Sequence, residues 1–458
     1  MKQFLVTLLI TSVLFACRKD EVIDTSATAT LQFSTDSLLF DTVFTSTGTT
    51  NRTLKIFNYN KNSVVISNIR LQGGNASAFK ININGIAATS LNNLKIKGND
   101  SIYVFVKAYI NPTSANSPFL VEDEIQIDLN GNLEKIPLAA YGQNAIYLNN
   151  ETIVSNTTFI KGKPYIIYNS TTVAKNATLT LEAGARLYLH KGASLLIAGS
   201  LKANGTLTDS ITFTSDRQER IYDDEPGQWD GIHFLPSSVN NHLNYCTVKN
   251  ALVGITVDSL NDDTNPKLLL TNSIIKNHQV AGVLGYNASV TAINNLMYNC
   301  GQYLVAGFYG GDYHFYQNTL ANYNFNFPRK TPSVYFTDYL NTDVSKISDL
   351  KTQFYNNIIY GSLNRELDFD QKGILTFLQD FQNNTIKTDL QNFGASNFSN
   401  IDPFFINTRK ENYQLVSNSA AHNSGKDLTT NNYFLGFLNK DILQKERIFP
   451  STLGCYEK

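Results

Sequence analysis

The amino-acid sequence predicts an all-β protein in two parts, an N-terminal β-sandwich followed by a parallel β-helix, and three observations lead to this prediction. The composition combines 28 Phe and 24 Tyr with 2 Met and 16% charged residues, which favours strands and turns over long helices. Short runs of alternating polar and apolar residues fill 28–146, as expected for strands with one buried face. From 150 onwards, short strands alternate with glycine or asparagine corners, as in the rungs of a solenoid.

Residues 1–17 have the pattern of a targeting segment. Lys2 provides a positive charge, and the apolar run 4–15 is too short to cross the roughly 30 Å hydrocarbon core of a membrane as a helix. The segment ends in Leu14-Phe15-Ala16-Cys17, which resembles a bacterial lipobox. The resemblance implies that Cys17 is lipidated and that this lipid attaches the chain to the outer membrane. The alternative is a secretory signal in which Cys17 has no such role.

Residues 18–30 are polar and lack a hydrophobic period, so this stretch is predicted to be a tether. Within it, Lys19, Asp20 and Glu21 resemble the signal with which Bacteroidetes-like bacteria send lipoproteins to the outer face of the outer membrane. The resemblance implies a protein that faces the cell exterior. The alternative is a solvated charged linker on a protein that faces the periplasm.

Residues 28–146 are predicted to form an immunoglobulin-like sandwich of roughly seven to nine strands. The alternating runs include 53–57, 63–71, 101–110 and 124–129. In their order, the early Leu39-Phe40-Asp41-Thr42-Val43 and the closing Ile136-Pro137-Leu138-Ala139-Ala140-Tyr141-Gly142 resemble the immunoglobulin-like abnormal spindle, SPD-2 and hydin domains. The resemblance implies a spacer or interaction module, because sandwich folds carry no chemistry by themselves.

Residues 150–458 are predicted to form the β-helix, because a short template that opens with asparagine recurs along them. Its copies begin at Asn272, Asn295, Asn318, Asn357 and Asn384. The intervals of 23, 23, 39 and 27 residues suit rungs of roughly 20–25 residues, one of them with an insertion, and predict about 11 rungs in total. Asparagine tolerates a left-handed φ at a corner, and stacked asparagine amides can hydrogen-bond from rung to rung.

Three cysteines remain beyond the predicted lipidation site. The template places Cys246 and Cys300 in different columns two rungs apart, which excludes a disulfide between them. These two and Cys455 are therefore predicted to be buried free thiols.

As a whole, 150–458 resembles the right-handed parallel β-helix lipoproteins of Bacteroidetes, within the pectin-lyase-like superfamily. The resemblance rests on Leu179-Thr180-Leu181-Glu182-Ala183-Gly184, Pro226-Gly227-Gln228-Trp229-Asp230-Gly231-Ile232, Ile401-Asp402-Pro403-Phe404-Phe405 and Gly454-Cys455-Tyr456-Glu457. It implies a right-handed helix with a C-terminal cap and specifies the architecture far better than the activity.

Acidic clusters are the candidates for chemistry in such a fold. Lyases of the superfamily use a basic residue with Ca²⁺ on clustered carboxylates, and its hydrolases use paired aspartates. Asp223, Asp224 and Glu225 are therefore a candidate Ca²⁺ cluster, with Arg217 or Arg220 as a nearby base. The alternative is a solvated loop. A second cluster, Asn261-Asp262-Asp263, is interpreted as a polar turn, and the Gly-His-Gly and Arg-x-Lys motifs of the hydrolases are absent.

Aromatic residues concentrate just before the 39-residue interval. Tyrosine offers an apolar face and a polar tip to a sugar ring, and insertions in solenoids often map to the binding face. The sequence thus predicts a glycan-binding surface within 303–350, and the candidate tyrosines in and just before it are Tyr303, Tyr309, Tyr313, Tyr316 and Tyr323. The alternative is that these residues belong to the core and to an ordinary loop.

The function predicted from these features is non-catalytic: a lipid-anchored recognition or adhesion module with a glycan as ligand. A polysaccharide lyase or glycoside hydrolase of the same superfamily is the first alternative, and a structural surface rod is the second. The formal net charge of −1 and the lack of a basic stripe argue against nucleic acid as a partner.

Overall fold

A computed structural model describes residues 21–261, 265–323, 328–391 and 393–458. The predictions for Cys17, Lys19 and Asp20, and those for Asp262 and Asp263, lie outside the described residues. The chain divides into two compact units, of which the first ends at Asn144 and the second begins at Ala145. No helix in the described ranges has the length and apolar character needed to cross a membrane.

The first unit is a β-sandwich of two five-stranded sheets. The first sheet contains, in spatial order, Gln32–Phe33, Arg52–Asn58, Asp100–Ala108, Phe79–Ile83 and Ile86–Ala87. The second sheet contains Leu38–Phe44, Asn132–Gln143, Phe119–Leu129, Val64–Leu71 and Ser90–Ile96, and the turn Gly74–Ala76 is a short 3-10 helix. Ile56 and Val104 of the first sheet meet Ile66 and Ile127 of the second in one fully buried core. The predicted all-β sandwich is confirmed, and its closer relation to immunoglobulin-like domains stays a prediction.

Residues 21–30 belong to this sandwich unit. The Ser63 hydroxyl donates to Glu21 Oε1 at 2.5 Å, and Lys95 forms an ion pair with the same carboxylate. The Asp24 amide donates to the Ser63 carbonyl at 2.8 Å. The polar tether predicted for 18–30 thus begins to contact the sandwich at Glu21.

The second unit is a parallel β-helix, and in its described residues 25 strands form one parallel sheet wound around three faces. Face 1 consists of the first halves of Ile146–Ile153 and Tyr165–Val173, then Arg186–Leu189, Ile211–Ser215, Cys246–Lys249, Ile274–Lys276, Leu296–Tyr298, Thr319–Asn322, Ile358–Gly361, Thr385–Ile386 and Phe398–Ser399. Face 2 consists of the second halves of Ile146–Ile153 and Tyr165–Val173, Ser194–Ile197, Gly231–Phe234, Val253–Asp258, the first halves of Ala281–Ile293 and Tyr303–Tyr316, Val334–Thr337 and Leu367–Asp370. Face 3 consists of Thr157–Phe159, Thr178–Leu181, Ser200–Asn204, Asn241–Asn244, Leu268–Thr271, the second halves of Ala281–Ile293 and Tyr303–Tyr316, Leu350–Tyr355 and Phe377–Gln382. The eleven strands of face 1 confirm the predicted number of rungs.

The core of the helix is a set of columns in which equivalent residues of successive rungs touch. Phe315, Phe354 and Phe381 stack with ring centroids 4.7 Å apart and nearly parallel planes. This distance matches the spacing of hydrogen-bonded strands, so each ring lies directly over the one before it. Phe393 packs edge-on against Phe381 at 5.5 Å and covers the last ring of the column.

A buried asparagine ladder follows the corner between faces 3 and 1. In each rung the backbone amide and Nδ2 donate to Oδ1 of the asparagine in the next rung, at 2.8–3.0 Å, and the members are Asn295, Asn318, Asn357, Asn384 and Asn397. The predicted ladder is confirmed for Asn295 onwards. It is wrong for Asn272, because Ser273 occupies the ladder column, pairing through its amide with Asn295 Oδ1 at 2.9 Å.

The left-handed corner conformation belongs to a neighbouring column, not to the ladder itself. The residue before each ladder position up to Asn384 has a φ between 48° and 61°, and this column contains Tyr245, Asn272, Asn294, Gln317, Asn356 and Asn383. The two roles that the sequence analysis gave to one asparagine are thus divided between two adjacent residues, because one side chain points inward to the ladder while the other reverses the chain.

The C-terminal segment 420–458 is a strap along the corner between faces 3 and 1. The Tyr245 hydroxyl donates to the Ile442 carbonyl at 3.1 Å, and the Gly454 amide donates to the Asn356 carbonyl at 2.8 Å. The expected C-terminal cap is thus a strap that runs back beside several rungs. Outside the three faces lie the hairpins Tyr339–Leu340 with Asp343–Ile347 and Phe405–Asn407 with Asn412–Leu415, the 3-10 helices Arg220–Tyr222 and Thr408–Lys410, and the π-helix Phe434–Leu438.

Candidate functional site

An aromatic patch lies on the outer surface of face 2, and we define it as Tyr286, Tyr303, Phe308 and Tyr335. The Phe308 ring is central, with centroid distances of 6.0 Å to Tyr286, 6.2 Å to Tyr303 and 5.9 Å to Tyr335. Tyr303 and Tyr335 also stack on each other at 5.8 Å with planes 15° apart. Phe308 is 8% exposed whereas Tyr286 is 37% exposed, so the patch has a closed centre and an open rim.

The strand register explains why these rings meet. Tyr286 and Phe308 are direct neighbours on adjacent rungs, and Tyr335 lies beside Ala306 on the following rung. Outward positions on parallel strands form continuous columns, so aromatic residues at equivalent positions collect into one surface. The small side chain of Ala306 leaves space on the outer surface, and the rings of Tyr335 and Phe308 pack over it.

A polar border adjoins the patch at its N-terminal side. Asp258 is the register neighbour of Tyr286, and its Oδ2 lies 2.7 Å from His233 Nε2. Burial and, second, the Asp258 carboxylate raise the pKa of the Tyr286 hydroxyl, which keeps that hydroxyl available as a hydrogen-bond donor.

A second polar border lies at the C-terminal side. The Tyr339 hydroxyl donates to Asp370 Oδ2 at 2.6 Å, and Lys372 Nζ lies 4.3 Å from the centroid of the Tyr339 ring. Burial and then the hydrogen bond to Asp370 raise the pKa of Tyr339. Exposed ring faces between groups that donate and accept hydrogen bonds are the features with which proteins hold sugar rings.

The structure distributes the five predicted tyrosines over three faces. Tyr303 belongs to the patch. Tyr309 lies at the corner between faces 2 and 3 with a φ of 64°, and its side chain is half-exposed. Tyr323 follows face 1, where it packs edge-on against Phe405 at 6.2 Å. A single ledge built from all five is therefore wrong.

The prediction of a glycan-binding ring is wrong for Tyr313 and Tyr316, because both side chains are buried. Tyr313 is fully buried against Phe336, with centroids 4.8 Å apart, in the core of the helix. Tyr316 is buried beside Tyr355 and the strap residue Leu438. The corner at 309–311 resets the alternation of the strand, which turns the ring of Tyr313 inward.

Tyr286 lies outside the predicted surface at 303–350, and Tyr335 lies within it but is not among the five candidate tyrosines. The signal that could have found them is the rung period, since 286, 308 and 335 stand about one rung apart. The asparagine template fixes the corner between faces 3 and 1 but not where face 2 begins, so it did not align these positions.

The acidic cluster is on the surface of the protein. Asp223, Asp224 and Glu225 are exposed in the turn after the 3-10 helix Arg220–Tyr222. Asp224 Oδ1 accepts from Asn277 Nδ2 at 2.8 Å and lies 3.6 Å from Lys276 Nζ. Throughout the described ranges, no three His, Cys, Asp or Glu side chains come together in a way that could hold a metal ion. Asp224 thus has protein partners, and Ca²⁺ binding at this cluster stays a prediction beside the alternative of a solvated loop.

Of the two arginines expected beside that cluster, Arg220 is exposed and Arg217 has other partners. Arg217 Nε donates to Glu219 at 3.1 Å, and its guanidinium lies 3.9 Å from the centroid of Tyr222. Trp229, the single tryptophan, is fully buried, and its Nε1 donates to the Lys249 carbonyl at 2.8 Å. Both side chains thus have structural contacts that account for them.

A second surface, the charged cleft, lies on face 3 and has a volume of about 260 Å³. Asp312, His314, Asp349 and Lys351 line it, and Tyr433 of the strap forms one wall. His314 Nε2 lies 2.9 Å from Asp312 Oδ1. Burial acts to raise the pKa of Asp312, but the hydrogen bond and charge of His314 together with the charge of Lys351 lower it overall. The Asp-x-His spacing on one strand could have indicated this pair.

The three cysteines are placed as predicted. Cys246, Cys300 and Cys455 are all buried, and within the described residues none of them is in a disulfide. Burial raises the pKa of Cys300 and of Cys455 to about 12, so both thiols stay protonated and unreactive at neutral pH.

Comparisons with known proteins find distant similarities to solved structures. No protein-family profile and no curated protein sequence matches the chain. Among solved structures, the catalytic domain of a GH87 α-1,3-glucanase bound to tetrasaccharides is similar over 72% of this chain and 80% of its own, at 11% identity and a TM-score of 0.20.

Two further solved structures each cover 28% of this chain at 9% identity. One is the ASH / PapD-like domain of human CEP192, of which 94% is covered with a TM-score of 0.20. The other is a family 123 glycoside hydrolase from Clostridium perfringens described in the context of glycolipid glycan hydrolysis, of which 30% is covered with a TM-score of 0.19.

Proposed function

We propose that this chain is a lipid-anchored cell-envelope protein, facing the cell exterior, that binds a glycan without chemical turnover through the aromatic patch on face 2. The observation that carries the proposal is the cluster of four rings around Phe308 with a polar border on each side. Aromatic faces pack on the apolar faces of sugar rings, and carboxylates and hydroxyls bind sugar hydroxyl groups.

The border carboxylates favour binding over catalysis at this patch. Asp258 is hydrogen-bonded to His233, and Asp370 accepts from Tyr339. Glycoside hydrolysis needs two carboxyl groups about 5–9.5 Å apart across one bond, and these two lie on either side of a patch several rings wide. The arrangement therefore suits recognition along a glycan chain.

The test uses the chain from residue 18, which keeps every described residue and lacks the predicted lipid site. Its affinity is measured against a panel of neutral and uronic-acid polysaccharides, while reducing ends and unsaturated products are followed with and without Ca²⁺. Tyr286→Ala and Tyr335→Ala should each weaken binding by about tenfold, as expected for loss of one stacked ring. Tyr141→Ala, at a 52% exposed tyrosine of the sandwich, is the matched control. Equal affinity in all three variants would refute the assignment to the patch.

The charged cleft supports a second candidate function, that of a polysaccharide lyase or glycoside hydrolase. Asp312 and Asp349 provide two carboxyl groups in one cleft, and His314 and Lys351 provide basic groups beside them. Such a set can supply an acid and a base to a glycosidic bond. Turnover of any polysaccharide in the same panel, abolished by Asp312→Asn and retained in Tyr286→Ala, would establish this function. If the chain neither binds nor turns over any polysaccharide of the panel, the remaining function is that of a structural surface rod.

A further inference from the structure

The outer face of the first sandwich sheet carries exposed aromatic and basic side chains on its three central strands. On Arg52–Asn58 and Asp100–Ala108 the outward positions include Lys55, Phe57, Tyr103 and Phe105, and Tyr103 and Phe105 are 43% and 39% exposed. We call these four residues, with Lys80 and Lys107 at the adjoining outward positions, the sandwich strip. Large exposed apolar side chains gathered on one surface of a soluble domain indicate an interaction site.

The strip is continuous across the two strands because Lys55 connects its rings. Lys55 stands opposite Tyr103 in the register, and its Nζ lies 4.8 Å from the centroid of Phe57 and 5.2 Å from that of Tyr103. Tyr103 and Phe105 are nearly parallel, with planes 8° apart and centroids at 6.1 Å. The positive charge is thus held over aromatic rings instead of being neutralised by an acid.

The charges on the outer surface of the first sandwich sheet are mainly positive. The alternating outward positions of these three strands hold Lys55, Lys80 and Lys107, and the single acidic residue of the strands is Asp100, exposed at the start of Asp100–Ala108, whereas the whole chain has a formal net charge of −1. A local excess of cations on a nearly neutral protein attracts an anionic partner. The remaining outward positions are the small polar residues Thr53, Ser101 and Asn82, which can donate and accept hydrogen bonds.

We propose that the sandwich strip is a second binding surface, for a linear anionic glycan that carries carboxylate or sulfate groups. The lysines pair with the anionic groups, and Phe57, Tyr103 and Phe105 pack against the apolar faces of the sugar rings. An acidic peptide that adds as a strand is disfavoured, because the strip's strands are central in their sheet and their backbone groups are already paired. This surface is independent of the aromatic patch on face 2.

The experiment measures binding of the chain from residue 18 to polygalacturonate, heparin, neutral dextran and poly-glutamate. Lys55→Gln and Tyr103→Ala should each weaken binding to an anionic glycan by about tenfold, and raising the salt concentration should weaken it further. Lys175→Gln, at an exposed lysine of the β-helix, and Tyr141→Ala are the matched controls and should bind unchanged. A thermal melt of each variant separates loss of contact from loss of fold.

Three outcomes would overturn the proposal: equal binding to dextran, unchanged affinity in both strip variants, or tighter binding to poly-glutamate than to either anionic glycan. The last result would assign the strip to an acidic protein. Tyr286→Ala distinguishes this site from the aromatic patch, because a glycan held by the strip keeps its affinity in that variant.

Discussion

The Nδ2 of Asn318 donates to Oδ1 of Asn357 at 3.0 Å in the next rung, although 39 residues separate the two along the chain. The neighbouring link from Asn295 to Asn318 spans 23 residues and has the same geometry at 2.9 Å. The insertion therefore leaves the ladder intact and projects outside the helix. Buried amide networks whose members are all hydrogen-bonded specify one register, because a slipped strand would leave polar groups unpaired.

Replacing Asn318 with alanine should destabilise the β-helix by about 2–4 kcal/mol, because it removes a fully satisfied buried side chain. Asn318 Oδ1 accepts from the Asn295 amide and Nδ2, and its own Nδ2 donates to the Ala292 carbonyl at 2.9 Å. The Asn295 amide would lose its acceptor, and Asn295 Nδ2 would keep only its bond to the Leu270 carbonyl. Urea unfolding of Asn318→Ala measures the change. Asn341→Ala, in an exposed turn of the insertion, should unfold as the wild type does, and an equal loss in both would contradict the ladder's role.

Much of the β-helix could be predicted because few residue types suit its corners, and asparagine is the commonest of them. A recurring asparagine gave the rung count and the corner column from Asn295 onwards. The template is out of register by one residue at Asn272. The ladder position of that rung is Ser273, whose hydroxyl accepts a hydrogen bond from the Cys246 amide at 3.0 Å and so takes the place of an asparagine side chain. Two neighbouring columns that both favour asparagine cannot be told apart by composition.

The candidate site was harder to predict because it depends on which face each strand occupies. Tyr303 and Tyr313 lie ten positions apart on one long strand, yet one is in the patch and the other is buried in the core. The corner with positive φ at Tyr309 and Gly310 separates them. A period-two pattern continued through that corner assigns the rings after it to the wrong side of the strand. The sandwich strip escaped notice because its rings are spread over strands about 50 residues apart.

Acidification should destabilise the β-helix through its buried histidines. Burial lowers the pKa of His278 to about 4, and its Nδ1 accepts from the Ala251 amide at 3.2 Å. An unfolded histidine titrates near 6.5, so the unfolded state binds the proton first. The stabilisation is complete above about pH 6.5 and is lost as the pH falls towards 4, by at most about 3 kcal/mol for this residue. Burial and the charge of Lys202 lower the pKa of His242 to about 4 as well, which adds a second contribution of the same sign.

Unfolding midpoints in urea between pH 7.5 and 4.5 test this linkage. His278→Gln keeps an acceptor and a donor at the site and should reduce the slope of stability against pH by about half, since His242 remains. Asn341→Ala alters an exposed side chain that does not titrate and should keep the wild-type slope. A His278→Gln profile parallel to that of the wild type would show that His278 is not responsible.

The Arg329–Glu366 pair should be the most sensitive ion pair of the β-helix. Both side chains are completely buried, and Arg329 Nη2 donates to Glu366 Oε1 at 2.6 Å. Glu366→Gln leaves the guanidinium buried without a counter-charge, which costs about 3–5 kcal/mol. Thermal and urea unfolding measure the loss. Asp389→Asn removes the partner of Arg365 in an exposed pair and should change little, so comparable losses in the two variants would contradict this reading.

Membrane attachment should depend on Cys17, the predicted lipidation site at the end of Leu14-Phe15-Ala16-Cys17. In a bacterium that exports the chain, Cys17→Ser should move the protein from the detergent phase to the aqueous phase in a phase-separation assay. A single acyl chain binds a membrane only marginally, so the lipid of a mature lipoprotein accounts for stable anchoring by carrying several. Retention of Cys17→Ser in the detergent phase would contradict lipidation at this residue.

Surface display should depend on Lys19 and Asp20 and be separable from attachment. Lys19→Gln with Asp20→Asn should keep the protein in the detergent phase while protecting it from protease added to intact cells. Glu21 is left unchanged in this variant because its carboxylate holds Ser63 and Lys95 of the sandwich, so its replacement would alter the fold as well as the signal. Continued digestion on intact cells would show that these charges are a linker and that export to the outer face follows another feature of the chain.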